Sequence, residues 1–378
     1  MMGRKSQVEG RKSVEATEKF LVASQWRLMS WKFRRHKVAL VAMIFLGVFY
    51  LLAMFCEFAS PASPRTRHSE YVFAPCQRIR FFDEDGKFHL RPFVYGFAPG
   101  TLDENWNRRY EIDRSRKHGL HLFVAGDEYR LWGLIPLRLH LFGTRSDQPL
   151  FLLGSDHLGR DMLSRVVYGS RISLSIGLVG VFLSLVIGCA IGGLSGYCGG
   201  WVDNVIQRII ETLISLPSIP LWMGLAAALP ATWPPLWAYF GIVVILSLLG
   251  WTGLARVVRG KVIALREEDF VMAARLSGAT GWWMIRRHLL PSFFSYIIVS
   301  VTLAIPGMIL GETALSYLGI GLQPPIVSWG VLLQQAQNIQ NVAQYPWILA
   351  PALFVIVVVL AFNFVGDGLR DAADPYSR

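Results

Sequence analysis

The sequence predicts an all-α membrane protein with six transmembrane helices and a long polar insert after the first. Three observations carry this reading. Hydrophobic residues make up 53% of the 378-residue chain and charged residues only 17%, below the about 25% usual in soluble domains. The apolar residues gather in stretches of about 20, the length that crosses roughly 30 Å of hydrocarbon. Lys and Arg crowd some intervening segments and avoid others, although the chain as a whole carries a net charge of +11. An ordinary cytosolic enzyme is excluded. The four cysteines (Cys56, Cys76, Cys189, Cys198) form no CxxC, so neither a disulfide framework nor a zinc site is expected.

Residues 1–37 are a basic N-terminus, with ten Lys or Arg against three Glu. Within them, Phe20, Leu21, Trp26, Leu28, Met29, Trp31 and Phe33 alternate with Arg27 and Lys32, the pattern of a helix lying on the membrane surface. The first span covers residues 38–58. A cleaved signal peptide is the rival reading, but the basic region is too long and later spans need this one for parity. Residues 59–171 are the insert. Phe88 to Tyr95 and Leu120 to Ala125 read as strands, with turn signals at Asp85-Gly86 and Gly126-Asp127. Trp106, Tyr110, Tyr129 and Trp132 would supply a small core, which predicts a compact subdomain rather than an extended loop.

Residues 172–368 hold the remaining spans, near Ile172 to Leu194, Val205 to Leu229, Leu236 to Leu254, Ser292 to Leu315 and Trp347 to Val365. The third contains Arg208, Glu211, Pro217 and Pro220; prolines are tolerated in membrane helices where neighbours satisfy the freed carbonyls. The segment between spans four and five carries Arg256, Arg259, Lys261, Arg266, Arg275, Arg286 and Arg287, whereas Leu229 to Leu236 and Tyr317 to Pro346 carry no Lys or Arg. With both termini, including residues 369–378, in the cytoplasm, the distribution obeys the positive-inside rule. The long insert is then periplasmic.

Chemical signatures are missing. There is no GxxxxGK[ST], HExxH or GxSxG, and His121, His157 and His288 read as surface residues. No catalytic, cofactor-binding or metal-ligating residues are assigned. Inside the bilayer Glu211 and Glu312 are the acids singled out as candidates for an ion-coupled carrier, with Asp367 at a boundary. Arg208 stands three residues before Glu211, so a local ion pair is expected there, and Glu312 is placed where it reaches water or a helix partner. An ion-coupled carrier would show more, so the driving energy is expected from another subunit. Gly188, Gly192, Gly196 and Gly200 recur every four residues, a stripe that lets two helices approach closely, either within this chain or at a mobile seam.

The segment before span five reads Leu265-Arg-Glu-Glu-Asp269-Phe-Val-Met-Ala273-Ala274-Arg-Leu-Ser-Gly278, continuing to Leu290-Pro291. Acids precede a short helical run, Gly278 can end it, and Pro291 opens the next span. An exposed helix with small residues suits a partner's groove; an ordinary amphipathic surface helix is the alternative. This stretch resembles the EAA motif of binding-protein-dependent ABC importer permeases, matching at Ala273, Ala274, Gly278, Leu290 and Pro291, with Met272 replacing the motif's Glu. Two further stretches resemble the dipeptide/oligopeptide branch, specifically its second permease. They are Leu153-Gly154-Ser155-Asp156 through Gly159-Arg160-Asp161, Ser164-Arg165, Gly169, Arg171 and Ser173-Leu174, and Gly366-Asp367-Gly368-Leu369-Arg370-Asp371 to Asp374-Pro375.

The resemblance implies a five-helix permease core in a bacterial inner membrane and a coupling helix at about 270–278. Asp269, Ala273, Ala274, Gly278 and Pro291 would serve ATPase coupling. The implied partners are a second homologous permease, two ATPase subunits that bind ATP and magnesium, a periplasmic substrate-binding protein and membrane lipid. No nucleic-acid partner is expected. Peptides are the implied substrate, with oligosaccharides or another small solute as the alternative. A membrane scaffold or receptor with a binding insert is the competing class. The lining of the path stays unassigned, with the third and fourth spans and the Gln323 to Gln344 connection as candidates.

Overall fold

Apolar runs bounded by caps and prolines build the helices, and the polar insert builds a sheet. The computed structural model describes residues 25–83, 85–98, 101–102, 108–145, 148–230 and 232–374. Phe20, Leu21, Trp106 and Pro375 lie outside the described residues.

The N-terminal helix α1 spans Gln25–Arg35 and buries Met29 and Phe33. His36 caps the next helix, α2 (Lys37–Met54), its Nδ1 accepting from the Ala39 backbone N–H at 3.1 Å. A short helix α3, Cys56–Ala59, continues it. After the insert come α4 (Met162–Cys198), α5 (Gly200–Ser215), α6 (Ser218–Ala227) and α7 (Pro235–Leu265). The remaining principal helices are α8 (Asp269–Leu276), α9 (Phe294–Tyr317), α10 (Trp329–Leu333) and α11 (Ala350–Ala373).

Five helical stretches are long and apolar enough to cross a membrane: α2, α4, α7, α9 and Pro346–Ala373. The expected third span is two helices instead. α5 and α6 meet at 89°, and only as one bent unit do they make a sixth. Leu216 is extended and Pro217 caps α6, so the chain changes direction where Pro lacks an N–H and its ring excludes a continuing helix. α4 starts ten residues before the apolar run because Asp161 caps it, accepting from Leu163 N at 3.3 Å and Ser164 N at 2.7 Å. α4 is the hub: it packs on α7, α9 and α2, while α11 packs on α9, α2 and α1.

The all-α expectation holds for the membrane part; the insert is β. Strands β1 (Arg80–Phe82), β2 (Phe88–Phe97), β5 (Ile112–Leu131) and β6 (Ile135–Thr144) form an antiparallel sheet in the order β1-β2-β5-β6. A separate pair joins β3 (Thr101–Leu102) to β4 (Arg108–Arg109). β5 pairs with β2 through its first half and with β6 through its second. The Asp85-Gly86 turn is present, with Gly86 at φ 73° between β1 and β2. Gly126-Asp127, expected as a turn, lies within β5 at a register irregularity. There the Asp127 carboxylate accepts from Ser63 N at 3.1 Å and Thr66 Oγ1 at 3.2 Å, so tertiary docking takes over a polar pair that would otherwise reverse the chain. The reversal falls at Trp132 to Leu134, where Trp132 and Gly133 have positive φ. Of the expected core, Tyr129 is buried, Tyr110 stacks on Tyr71 and donates to Val72 O at 2.6 Å, and Trp132 is exposed.

Candidate functional site

Helix α8 stands out on the connection between α7 and α9. Its first N–H groups follow Glu268, whose carbonyl accepts from Val271 N and Met272 N at 2.9 and 3.0 Å, and Asp269 puts a negative charge on the first turn. The far end closes with two bonds: Ala279 N donates to Ala274 O at 3.1 Å and Gly278 N to Arg275 O at 3.0 Å. That is a Schellman motif, which needs a left-handed residue one past the cap, and Gly278 sits at φ 85°. A Cβ at Gly278 would meet nothing within 4 Å, so the glycine is there for its backbone and not for close packing.

One side of α8 is anchored. Val271 is fully buried with Val258, Val262, Met284, Ile285 and Leu289, and Arg275 lies over the Tyr197 ring at 5.7 Å. The other side is bare: Phe270, Ala273 and Leu276 are exposed, the last at 87%, as are Trp282 and Trp283 nearby. Ala274 is half-buried. The expected boundary at Gly278 is therefore found. Pro291 does not open the span directly. It sits in a short turn, Leu290–Ser292, after a π-helical turn over Ile285–Leu289, and α9 begins only beyond a break at Phe293.

The glycine stripe faces α7 of the same chain. A Cβ would fall 3.1 Å from Leu254 Cβ at Gly188, 2.4 Å from Ala255 O at Gly192 and 2.8 Å from Arg259 O at Gly196. Gly200 departs from the expectation: it starts α5 and meets nothing within 4 Å. At the α8 end of this seam lies a cluster that sequence reasoning missed. Asp203 takes a two-pronged ion pair from Arg259, Nε and Nη2 each at 2.5 Å, and accepts from Ser195 Oγ at 2.5 Å. Gln207 donates to the same hydroxyl at 3.1 Å. The cluster ties α4, α5 and the end of α7 together just before α8 begins. Asp203 and Arg259 are 56 residues apart, and no local spacing rule joins them. Arg208 and Glu211 form the expected local pair at 3.2 Å on an exposed face.

At the opposite ends of the helices, the stretch from Gly154 to Arg171 is a clamp. Asp156 is fully buried, pairs with Arg165, and accepts from Arg160 Nε at 2.7 Å and the Leu158 and Arg160 backbone N–H groups at 2.8 and 2.9 Å. Burial pushes its carboxyl up, but Arg165, Arg160 and the backbone donors outweigh that and hold it below the usual carboxylate range. Gly159 approaches so closely that a Cβ would lie 2.0 Å from His68 O. Arg171 reaches back to Glu57, Nη1 to Oε1 at 2.6 Å and Nη2 to Oε2 at 2.5 Å, and to the carbonyls of Ala53 and Met54. Glu312 finds helix partners and not water: it is fully buried and accepts from Ser173, Ser316 and Ser328 hydroxyls at 3.2, 2.8 and 2.7 Å.

The connection after α9 spends its amides on itself. Gln323 donates to Gly319 O at 2.8 Å, Gln337 donates to Tyr317 O, and Asn338 caps the turn Ile339–Gln344. Together with α6 and the start of α7, this connection surrounds a cavity of about 480 Å³ lined by Ala226, Leu229, Trp233, Ala238, Ile320 and Gln323 among others.

The helices form a bundle of membrane length, and the connection between α7 and α9 carries a capped helix with one bare face. Comparison with known proteins gives the class to which this arrangement belongs. Residues 184–378 match the family described as "Binding-protein-dependent transport system inner membrane component", and residues 24–75 match "N-terminal TM domain of oligopeptide transport permease C". The chain belongs to the family of inner membrane components of binding-protein-dependent transport systems. It is 32% identical over 376 residues to the dipeptide transport system permease protein DppC of Lactococcus lactis subsp. cremoris, covering 97% of this chain and 95% of that one. It is 39% identical to the DppC of Bacillus subtilis over 60% of this chain and 68% of that one. With the oligopeptide transport system permease protein OppC of Haemophilus influenzae the identity is 39%, over 60% and 70% of the two chains. The scaffold reading is set aside by this membership.

Proposed function

We propose that this chain forms half of the translocation path of an ATP-driven importer for di- or oligopeptides and is worked through α8 by a partner ATPase. The observation that carries this is the bare Phe270–Ala273–Leu276 face on a helix rigidly capped at Gly278 and anchored through Val271. The peptide cargo is supported by the names of the three relatives above. The chain crosses the inner membrane six times, counting α5 and α6 as one bent span, with both termini cytoplasmic and the β insert periplasmic. A second homologous permease supplies the other half of the path. Two ATPase subunits bind ATP and magnesium, and a periplasmic binding protein delivers the peptide.

In this arrangement closure of the ATPase pair on ATP draws the seated α8 helices together. The Asp203–Arg259 cluster holds the ends of α4, α5 and α7 next to α8, so the shift passes into the helices as a rigid-body movement. ATP drives the cycle only by binding the closed arrangement better than the open one. The cavity bounded by α6, α7 and the connection after α9 has the size of a small-molecule site and is assigned to the outer part of the path.

Ala273→Glu tests the docking. A charge on the exposed face leaves the fold intact but opposes burial in a partner's groove. Uptake of a labelled peptide should fall to background and ATP hydrolysis in proteoliposomes should lose its response to the binding protein, with the complex still recovered by its tag. Undiminished uptake by the variant refutes the assignment of α8.

A further inference from the structure

The β5–β6 hairpin ends in an apolar tip that no described residue covers. From Trp132 to Leu139 all eight residues are exposed, Leu134 at 78%. The exposed set includes Ile135, Leu137 and Leu139, which alternate along β6 and so share one face of the ribbon, with Trp132 and Leu134 beside them at the turn. A ribbon of this kind in water is an aggregation hazard.

Its position is fixed by α2. Trp132 Nε1 donates to Met54 O at 2.8 Å, and its ring lies 5.4 Å from that of Phe55. Farther up the hairpin, Phe123 lies 6.2 Å from Phe58, and His140 Nδ1 meets Ser60 O at 2.6 Å. At 1.5 Å per residue, Met54 stands about 26 Å along the axis from Lys37, close to the far boundary of a hydrocarbon layer of about 30 Å. The Arg171–Glu57 ion pair, whose guanidinium also reaches Met54 O at 2.8 Å, marks the same level. The tip thus continues the exposed apolar surface of α2, where Val48, Leu51 and Met54 are uncovered.

We infer that the tip of this hairpin is embedded in the lipid headgroup layer beside α2, as a second, non-helical membrane anchor. An indole at the boundary, apolar on its body and polar at its N–H, is the side chain suited to that depth. Arg130 and Arg138 are both exposed and flank the tip, placed to meet lipid phosphates; Arg138 also pairs with Glu128. Among the described residues the outer edge of β6 has no strand partner, and unpaired backbone groups are not tolerated in hydrocarbon, so the tip stops at the headgroups and goes no deeper. This inference goes beyond the importer reading and needs only that α2 crosses the bilayer.

The test is the depth of a spin label. In a Cys76→Ser, Cys198→Ser background, Leu134→Cys and Leu137→Cys carry a nitroxide, with Ile112→Cys, at the opposite end of β5, as the aqueous control. The full chain is placed in nanodiscs of phosphatidylethanolamine and phosphatidylglycerol. The ratio of oxygen to water-soluble nickel-chelate collisions should be several-fold higher at 134 and 137 than at 112. Equal, water-like accessibility at 134 and 112 overturns the inference. So does shielding from both reagents with an immobilised spectrum, which would mean that protein covers the tip. The readout is independent of transport, so it stands or falls separately from the assignment of α8.

Discussion

Gly192→Ala is the sharpest test of the packing that supports α8. A Cβ there would sit 2.4 Å from Ala255 O and 2.9 Å from Ala255 Cα, against a relaxed carbon–oxygen separation of about 3.3 Å. The overlap is about 0.9 Å, and its partners are backbone atoms that no rotamer change can move. α4 and α7 must therefore separate along a seam where Gly188 and Gly196 are also in close contact. Overpacking costs about 1–3 kcal/mol, and a backbone clash belongs at the upper end. The helix gains about 1 kcal/mol from losing a glycine, so the net loss is about 2 kcal/mol. Gly260→Ala, in α7 with nothing within 4 Å, gains the propensity without the clash. Thermal unfolding of the two purified variants in one detergent should move in opposite directions. At about 2–4 °C per kcal/mol for domains of about 150–250 residues, the Gly192 variant should melt several degrees early. Equal shifts for both variants would refute the close approach of α4 and α7.

Other expectations concern the clamp, the cap and the insert. Asp156→Asn leaves the guanidinium of buried Arg165 without its carboxylate; losing one partner of a buried pair costs about 3–5 kcal/mol, which should appear as a collapse in the yield of folded protein from size-exclusion chromatography. Gly278→Ala forces a side chain into φ 85° at about 1–2 kcal/mol, so amide exchange over 269–279 should quicken while the spans stay protected. In the insert, hydrogen bonds from His89 and Lys117 hold the Asp83 carboxyl well below the usual carboxylate range. A depressed carboxylate contributes stability that is fully present above the unfolded value of 3.8 and is lost as pH falls through the lower native one. Proteolysis of the insert should therefore accelerate progressively as pH falls below 3.8 in the wild type, and Asp83→Asn should flatten the dependence.

Those helices that are single apolar runs could be read from composition, because length and hydropathy are local properties of the chain. Val205 to Leu229 has the right composition and the wrong geometry, because counting apolar residues does not register the change of direction at Leu216-Pro217. The end of α8 was readable to within two residues since it depends on Gly278, a backbone requirement visible in one letter. The Gly126-Asp127 pair misled for the converse reason: its turn chemistry is overruled by Ser63 and Thr66, which approach from 64 and 61 residues away. The same distance in sequence hid the Asp203–Arg259 pair and the serine cage of Glu312. Each is made of common residue types that mean nothing until the helices are placed side by side.

The first and last helices touch. A Cβ on Gly368 would lie 2.3 Å from Ala39 Cβ, Phe33 and Met29 are buried in the same cluster as α11, and Lys32 donates to Asp374 O at 2.8 Å. Synthesis proceeds from the N-terminus, so α2 enters the bilayer about three hundred residues before α11 exists. Until α11 emerges, α4 can pack on α2 but the side that will meet α11 faces lipid. The contact closes only when α11 leaves the ribosome, so a nascent chain truncated before Gly366 should expose a surface that the membrane's quality-control proteases can recognise.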